Sequence, residues 1–315
     1  MTGESPLVEI VAVSPVMNEL LKVVARLAEA RSTVLIQGES GTGKDLIAHL
    51  LHYRGARGNG PFIKVHCPSI PEDLLESELF GHERGAFTDA AATKLGKIEM
   101  ADGGTLYFDQ VQDLSPALQA KLLRVIEERR FERLGGTRTI EVDVRFVSSS
   151  NVDLRRELDR GAFREDLYHR LSVVPLTVPA LRERREDIVP LAEHFLERVR
   201  QHVSCSARAF EAGVLEVLKG YHWPGNVREL RAVVERAALY AEGECVSAAA
   251  LPLHVIEQPQ TLWLGRDRRP SLRAVEEAYI RYVLDQVGGS QTRAAAVLGI
   301  SRKSLWERRR RFGIP

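Results

Sequence analysis

The chain has 315 residues, 44% of them hydrophobic and 28% charged, with a formal net charge of +1. That length suits two or three domains and can bury a substantial core. The near-neutral balance excludes a uniformly basic nucleic-acid binder, so any such contact must come from a local patch.

In chain order, residues 16–30 repeat apolar positions at helical spacing and predict a helix. Thr33–Gln37 is a short β-branched run ending at glycine, which reads as a buried strand. Lys44–Tyr53 continues as a helix. Phe62–His66, Thr105–Phe108, Val142–Ser148 and Val173–Val178 are further apolar runs bounded by turn or polar residues. Helical patterns lie between them, and strands alternating with helices imply a mostly parallel sheet covered on both faces. Ser115 followed by Pro116 marks a helix start, as N-cap and first helical residue. From about 187 to 242 the pattern is purely helical. Residues 248–270, with Pro252, Pro259, Gly265 and Pro270, read as a linker. The resulting division is 1–180 for the α/β part, 181–247 for a helical subdomain, 248–270 for the linker and 271–315 for a terminal helical domain.

Cys67, Cys205 and Cys245 form no Cys-x-x-Cys pair, which argues against a disulfide framework and fits a cytoplasmic setting. The first nine residues lack the pattern of a signal peptide, and no apolar run approaches the ~20 residues that cross a bilayer. The histidines show no metal-ligand spacing. His49 and His52 lie one turn apart and read as surface or packing residues.

The segment Gly38, Glu39, Ser40, Gly41, Thr42, Gly43, Lys44 matches G-x-x-x-x-G-K between a strand and a helix. Its glycines let backbone N–H groups face phosphate oxygens, the helix N-terminus adds its dipole, and Lys44 adds a charge. The next residue is Asp45, where the general pattern has the Ser or Thr that holds magnesium. Asp109 ends the run Gly103–Gln110, GGTLYFDQ, and can hold Mg²⁺ through water. These features predict a site for ATP with Mg²⁺. A glycine turn and a strand-ending cap are the plainer alternatives.

Seven stretches, GESGTGKD, ESELFGHERGAFTDA, GGTLYFD, LQAKLLRVIEE, FREDLYHRL, LRERREDI and WPGNVREL, together with the tail, cover about residues 10 to 315. In them the chain resembles the AAA+ domain of bacterial sigma-54-dependent transcriptional activators, here lacking an N-terminal sensory domain. The resemblance implies an AAA+ P-loop fold with a parallel sheet, a helical lid and a C-terminal helix-turn-helix. It implies that Asn151 senses the γ-phosphate, that Arg164 and Arg170 are arginine fingers reaching a neighbour's nucleotide, and that Arg228 is a second sensor. Asn151 could equally cap the helix near Asp153, and the two arginines could pair with Glu165 or Asp166. Six residues apart on one helix, Arg164 and Arg170 would point about 120° apart, which precludes one identical role. Arg228 in a first helical turn opposes the helix dipole, favouring a phosphate role. Phe87 and Thr88, in the loop GAFTDA, match the sigma-54 contact. Fingers acting in trans imply a ring-shaped homo-oligomer, by family habit a hexamer.

Three positions depart from the family. Gln110 replaces the catalytic glutamate, and an amide cannot take a proton from water. His66 replaces an asparagine that restrains that glutamate, and Asp89 replaces a loop glycine. Slow hydrolysis is therefore expected, unless Glu83 or Asp113 substitutes.

At the C-terminus, residues 271–287 form an amphipathic helix ended by Gly288-Gly289, with Leu272 among its apolar positions, and residues 290–298 a second. Ser301 N-caps a third after the turn Gly299-Ile300, giving helix-turn-helix spacing. The third helix carries six basic residues, Arg302, Lys303 and Arg308–Arg311, against Glu307. The segment resembles the Fis-type DNA-binding domain, a match that places Ser290, Thr292, Arg302, Ser304 and Arg308 on the major groove or its phosphates. Ala294, Leu298, Ile300 and Leu305 should pack the core. Three functions are in view. One is a sigma-54-directed ATPase acting on polymerase from an upstream DNA site. Another is a hydrolysis-deficient DNA-binding repressor or mixed-ring subunit. A helicase or clamp loader is disfavoured by GAFTDA and the Fis-like tail.

Overall fold

The computed structural model describes residues 10–88, 90–203, 205–256, 271–287 and 290–314. The chain divides into two compact units, Met1–Pro252 and Leu253–Pro315.

The first unit is built on five parallel strands: β1 (Val34–Gln37), β2 (Phe62–His66), β3 (Thr105–Asp109), β4 (Arg145–Ser150) and β5 (Val174–Thr177). Their order is β2-β3-β4-β1-β5. Strand side chains alternate between faces, and in β1 and β3 both faces are buried, so those runs read as continuously apolar. Leu35, Leu106, Phe108 and Phe146 enter one core. Val34, Ile36, Tyr107 and Val147 enter the other. The fourth strand starts three residues later than its apolar run predicts, because Val142 and Val144 precede the pairing and Arg145 opens it. Arg145 is buried, and its guanidinium donates to the carbonyls of Leu27, Ala28 and Leu51. These end the helices α1 (Pro15–Ala28) and α2 (Lys44–Tyr53). One cation thus occupies the orphan carbonyls of both helix ends and pins them beside the sheet.

Ser115 caps the helix Pro116–Glu128 as expected, accepting from the Leu118 amide. The helical part comprises Ile188–His202, Ala212–Gly220 and Asn226–Tyr240. It also holds a two-residue parallel pairing of Ala209–Phe210 with Cys245–Val246, too short to leave a periodic signal. Part of the expected linker carries structure: Ala248–Ala250 forms a 3-10 turn and Leu253–Ile256 a short helix. Residues 257–270, Gly288-Gly289 and Asp89 lie outside the described residues. His49 and His52 are packing residues. His49 stacks on Tyr53 and Phe62, and His52 is buried with Nδ1 3.0 Å from the Thr105 hydroxyl.

Beyond residue 270 the described part of the second unit holds three helices, Leu272–Gln286, Gln291–Val297 and Arg302–Phe312. Ile280, Val283, Leu284, Ala294, Ala295, Leu305 and Phe312 are its core, with Leu298 and Ile300 packed against it. Leu272, expected on the apolar face, is 88% exposed, since the helix begins there and its first turn extends past the core. No helix among the described residues is long and apolar enough to cross a membrane.

Candidate functional site

The carboxyl edge of the parallel sheet is where such folds bind ligands, and the glycine loop leaves β1 there. Gly38, Gly41 and Gly43 have φ of 153°, 79° and 104°, values that side chains rarely adopt. A Cβ on Gly41 would stand 2.3 Å from the Gly225 carbonyl, so loop and lid approach backbone to backbone. Val227 N donates to Gly41 O at 3.0 Å. Thr42 is buried. Lys44 opens α2 and is buried, its Nζ donating to the Gly38 and Glu39 carbonyls at 2.8 and 2.9 Å. Burial holds its pKa below the ordinary lysine value. The loop therefore closes on its own lysine, which a phosphate would draw away.

Lid residues grip the same loop. Arg182 forms a two-pronged pair with Glu39, both contacts 2.7 Å. Asn226 Nδ2 donates to Ser40 O at 3.0 Å, while its Oδ1 accepts from Leu181 N. Arg228 donates to the Ser40 hydroxyl at 3.0 Å, which puts the expected second sensor on the phosphate loop. Arg184 is buried and donates to the Thr42 carbonyl at 2.7 Å. Arg182, Arg184 and Asn226 lie in the stretches LRERREDI and WPGNVREL, but their partners are about 45 to 190 positions away, so spacing alone does not single them out.

Asp109 ends β3. Its Oδ1 accepts from the Ser149 hydroxyl at 2.8 Å. Its Oδ2 stands 3.2 Å from Lys64 Nζ and 3.0 Å from His66 Nδ1, the latter without hydrogen-bond directionality. Lys64 also pairs with Asp45 at 2.6 Å, and the Tyr107 hydroxyl donates to Asp45. Asp45 is partly desolvated, yet these two hydrogen bonds keep its pKa below the usual carboxylate range. Lys64 was missed in the sequence, though a lysine inside the apolar strand FIKVH is the available signal. Magnesium takes hard oxygens, commonly one or two carboxylates plus phosphates and waters. Asp109 fits that demand, with Lys64 and His66 as the neighbours that must yield.

Gln110 follows in the left-handed region, φ 63°. Its amide N–H donates to Ser149 Oγ at 3.2 Å, and its Oε1 accepts from Asn151 Nδ2 at 2.9 Å. Asn151 Oδ1 accepts from Gln112 Nε2 at 2.9 Å. Asn151 is not the helix cap. Asp153 takes that role, accepting from Arg155 N, because it stands directly before the helix Leu154–Asp159.

Arg164 is the N-cap of Glu165–Leu171, with extended ψ of 135°. The expected 120° separation from Arg170 therefore does not apply, since only Arg170 lies within the helix. Arg164 pairs with Asp166 and Arg170 with Glu127, at 2.7 and 2.8 Å. Both arginine side chains are exposed. Phe87 is 42% exposed, its ring edge-on to His82 with centroids 4.9 Å apart, and Thr88 beside it is exposed. The loop's base is tied by Arg133 to Glu83 and Glu99 at 2.7 and 2.9 Å.

In the second unit, Ser301 Oγ accepts from Ser304 N at 3.1 Å and caps the basic helix. Arg302, Lys303 and Thr292 are exposed, Ser290 and Ser304 half-buried. Arg302 forms no ion pair among the described residues. Arg308 and Arg311 are engaged by Glu276 of the first helix, Arg311 at 2.7 Å. Arg308 thus also braces the unit.

The chain matches the Sigma-54 interaction domain over residues 10–177. It matches the AAA+ ATPase lid domain over 182–262 and the Fis-family bacterial regulatory protein over 271–312. It belongs to the sigma-54-interaction family of ATP- and DNA-binding transcription regulators. Among relatives, it is 46% identical over 292 residues to the transcriptional regulatory protein ZraR of Escherichia coli K12, covering 93% of this chain and 66% of the relative. It is 44% identical over 309 residues to the regulatory protein AtoC of the same strain, covering 96% and 67%. The crystal structure of NtrX from Brucella abortus in complex with ATP superposes with a TM-score of 0.75 at 37% identity, covering 97% of this chain and 70% of NtrX. The chain spans about two thirds of the length of these relatives.

Proposed function

We propose that the chain is a sigma-54-directed transcription regulator that binds ATP with Mg²⁺ through Asp109, assembles as a homo-oligomeric ring, and hydrolyses ATP slowly. The observation that carries the slow turnover is Gln110, whose Oε1 is committed to Asn151 and whose amide group has no basicity. Glu83 does not replace it. Its carboxylate is held by Thr93 and Arg133, and those hydrogen bonds depress its pKa, which makes it a poor base. Asp113 donates its backbone N–H to the Gln110 carbonyl at 3.1 Å, and its carboxylate is engaged by Gln112 Nε2 at 3.0 Å.

With magnesium bound, the metal would neutralise β- and γ-phosphate charge. Lys44 and Arg228 supply further cations on the same loop, and Ser149 holds Asp109 in place. Arg164 and Arg170, each exposed and held by one carboxylate, are free to exchange partners at a subunit boundary. Phe87 and Thr88 supply the contact to sigma-54 holoenzyme. Ser290, Thr292, Arg302, Ser304 and Arg308 supply the contact to an upstream double-stranded site.

A second reading, a hydrolysis-deficient repressor or mixed-ring subunit, draws on the same Gln110. Steady-state ATPase and in-vitro transcription with sigma-54 holoenzyme separate the two. Gln110→Glu should raise turnover by about 10²-fold, within the range that general bases contribute, and raise open-complex formation with it. A wild-type rate already equal to that of Gln110→Glu would refute slow turnover. ATPase that rises without transcription would favour the second reading.

A further inference from the structure

Gln110, Asn151 and Gln112 form a chain of carboxamides, and each link is directional. Gln112 Nε2 donates to Asn151 Oδ1 at 2.9 Å, and Asn151 Nδ2 donates to Gln110 Oε1 at 2.9 Å. Taken alone, such a chain could run either way, since an amide turned over exchanges donor for acceptor. Asp113 decides the direction. Gln112 Nε2 also donates to Asp113 Oδ2 at 3.0 Å, and an ionised carboxylate only accepts. Gln112 must therefore face Asp113 and Asn151 with its NH₂ group. Asn151 must then face Gln112 with oxygen and Gln110 with nitrogen. The cost is visible at the other end of Gln112, where Oε1 is buried without a hydrogen-bond partner.

The last link sets the polarity of Gln110. With Oε1 committed to Asn151, its Nε2 is left without a protein partner among the described residues. Gln110 stands at the end of β3, on the carboxyl edge that also carries the glycine loop, and its left-handed backbone and Ser149 contact hold it there. We propose that Gln112 is a positioning residue, anchored by Asp113, that sets the Gln110 carboxamide with its NH₂ toward the terminal phosphate of a bound nucleoside triphosphate. The site then reads the γ-phosphate with a donor, at the position where a hydrolase needs an acceptor. This rests on ATP occupying the glycine loop as proposed above. It adds that Gln110 contributes to telling triphosphate from diphosphate.

The test is the ratio of ATPγS to ADP affinity, by calorimetry on the full chain with magnesium. Gln112→Glu, made together with Asp113→Asn so that no second carboxylate faces the new one, replaces the donor toward Asn151 with an acceptor. Asn151 must turn its NH₂ to the new carboxylate and its oxygen to Gln110, and Gln110 then presents Oε1 to the phosphate. The ATPγS preference should fall by about fivefold or more, one hydrogen bond's worth and its reversal, with ADP affinity unchanged. Gln112→Ala, which removes the link without reversing it, should fall between wild type and the double variant. A purely structural role for Gln112 would make the two variants alike, or weaken both nucleotides equally, and either result overturns the proposal. So does a wild-type ratio in either folded variant. Should the double variant fail to fold, the Gln112→Ala ratio decides. A wild-type chain that binds neither nucleotide would instead refute the ATP site itself.

Discussion

The nucleotide unit and the DNA-binding unit both carry many cations, but they use them differently. Around the glycine loop each positive charge has a fixed partner: Lys44 on two carbonyls, Arg182 on Glu39, Arg184 on Thr42, Lys64 on Asp45 and Asp109. On the basic helix, Arg302 and Lys303 are exposed, while Arg308 and Arg311 are drawn to Glu276. Cations held by fixed partners shape a pocket. Exposed ones are free to displace the counterions of a polyanion. A chain with a net charge of +1 can thus serve two anionic ligands by arranging its charge locally.

The sharpest way to break this comparison is Lys44→Ala. A buried, charge-assisted donor should cost about 2–4 kcal/mol, or roughly 30- to 1000-fold in ATPγS affinity, and calorimetry would show it. Its DNA affinity should stay within about twofold of wild type if the units use charge separately.

On the other side, Arg302→Ala should cost about 1–3 kcal/mol on specific DNA if the side chain reads a base. Titrations at several salt concentrations on specific and random duplexes check this. Equal losses on both duplexes would make Arg302 a phosphate contact.

A smaller effect is expected for Arg308→Ala. Its partly exposed pair with Glu276 should be worth at most about 1 kcal/mol, read as a lowered melting temperature of the DNA-binding unit. A DNA loss as large as that of Arg302→Ala would show that Arg308 leaves Glu276 for the duplex.

The smallest effect concerns acid. Burial lowers the pKa of His52, so below about pH 6.5 the unfolded chain binds more protons than the folded one. Stability should therefore fall as pH drops below that value, and His49 shifts the same way for the same reason. Residues 271–315 contain no histidine. Scanning calorimetry at about pH 7.5 and 5.5 should show this histidine-linked loss in the nucleotide unit and not in the helices of residues 271–315.

Much of this architecture was legible because it is local. The strand VLIQ, the turn glycines and the helix from Lys44 to Tyr53 follow from neighbouring residues, and the helix appears with the predicted ends. Ser115 and Ser301 cap as their sequence context implies. What was not legible depends on partners distant in sequence. Nothing near Lys64 announces that it will bridge Asp45 and Asp109. Arg170 pairs with Glu127, 43 positions away, in place of the neighbouring acids. The directional amide chain requires Asn151 to lie beside Gln110 and Gln112, which follows from the pairing of β3 with β4.

The helix Asn226–Tyr240 begins where Asn226, Val227 and Arg228 touch the glycine loop. At 1.5 Å per residue it is roughly 22 Å long. A tilt of about 10° at the loop would swing its far end by about 4 Å. With the Gly41 and Gly225 backbones too close to slide past a side chain, the loop and the helix root must move together. The helix would then act as a lever with its fulcrum at the phosphate site, and a shift of atomic size at the nucleotide would become a displacement of several ångströms at the far end of the lid.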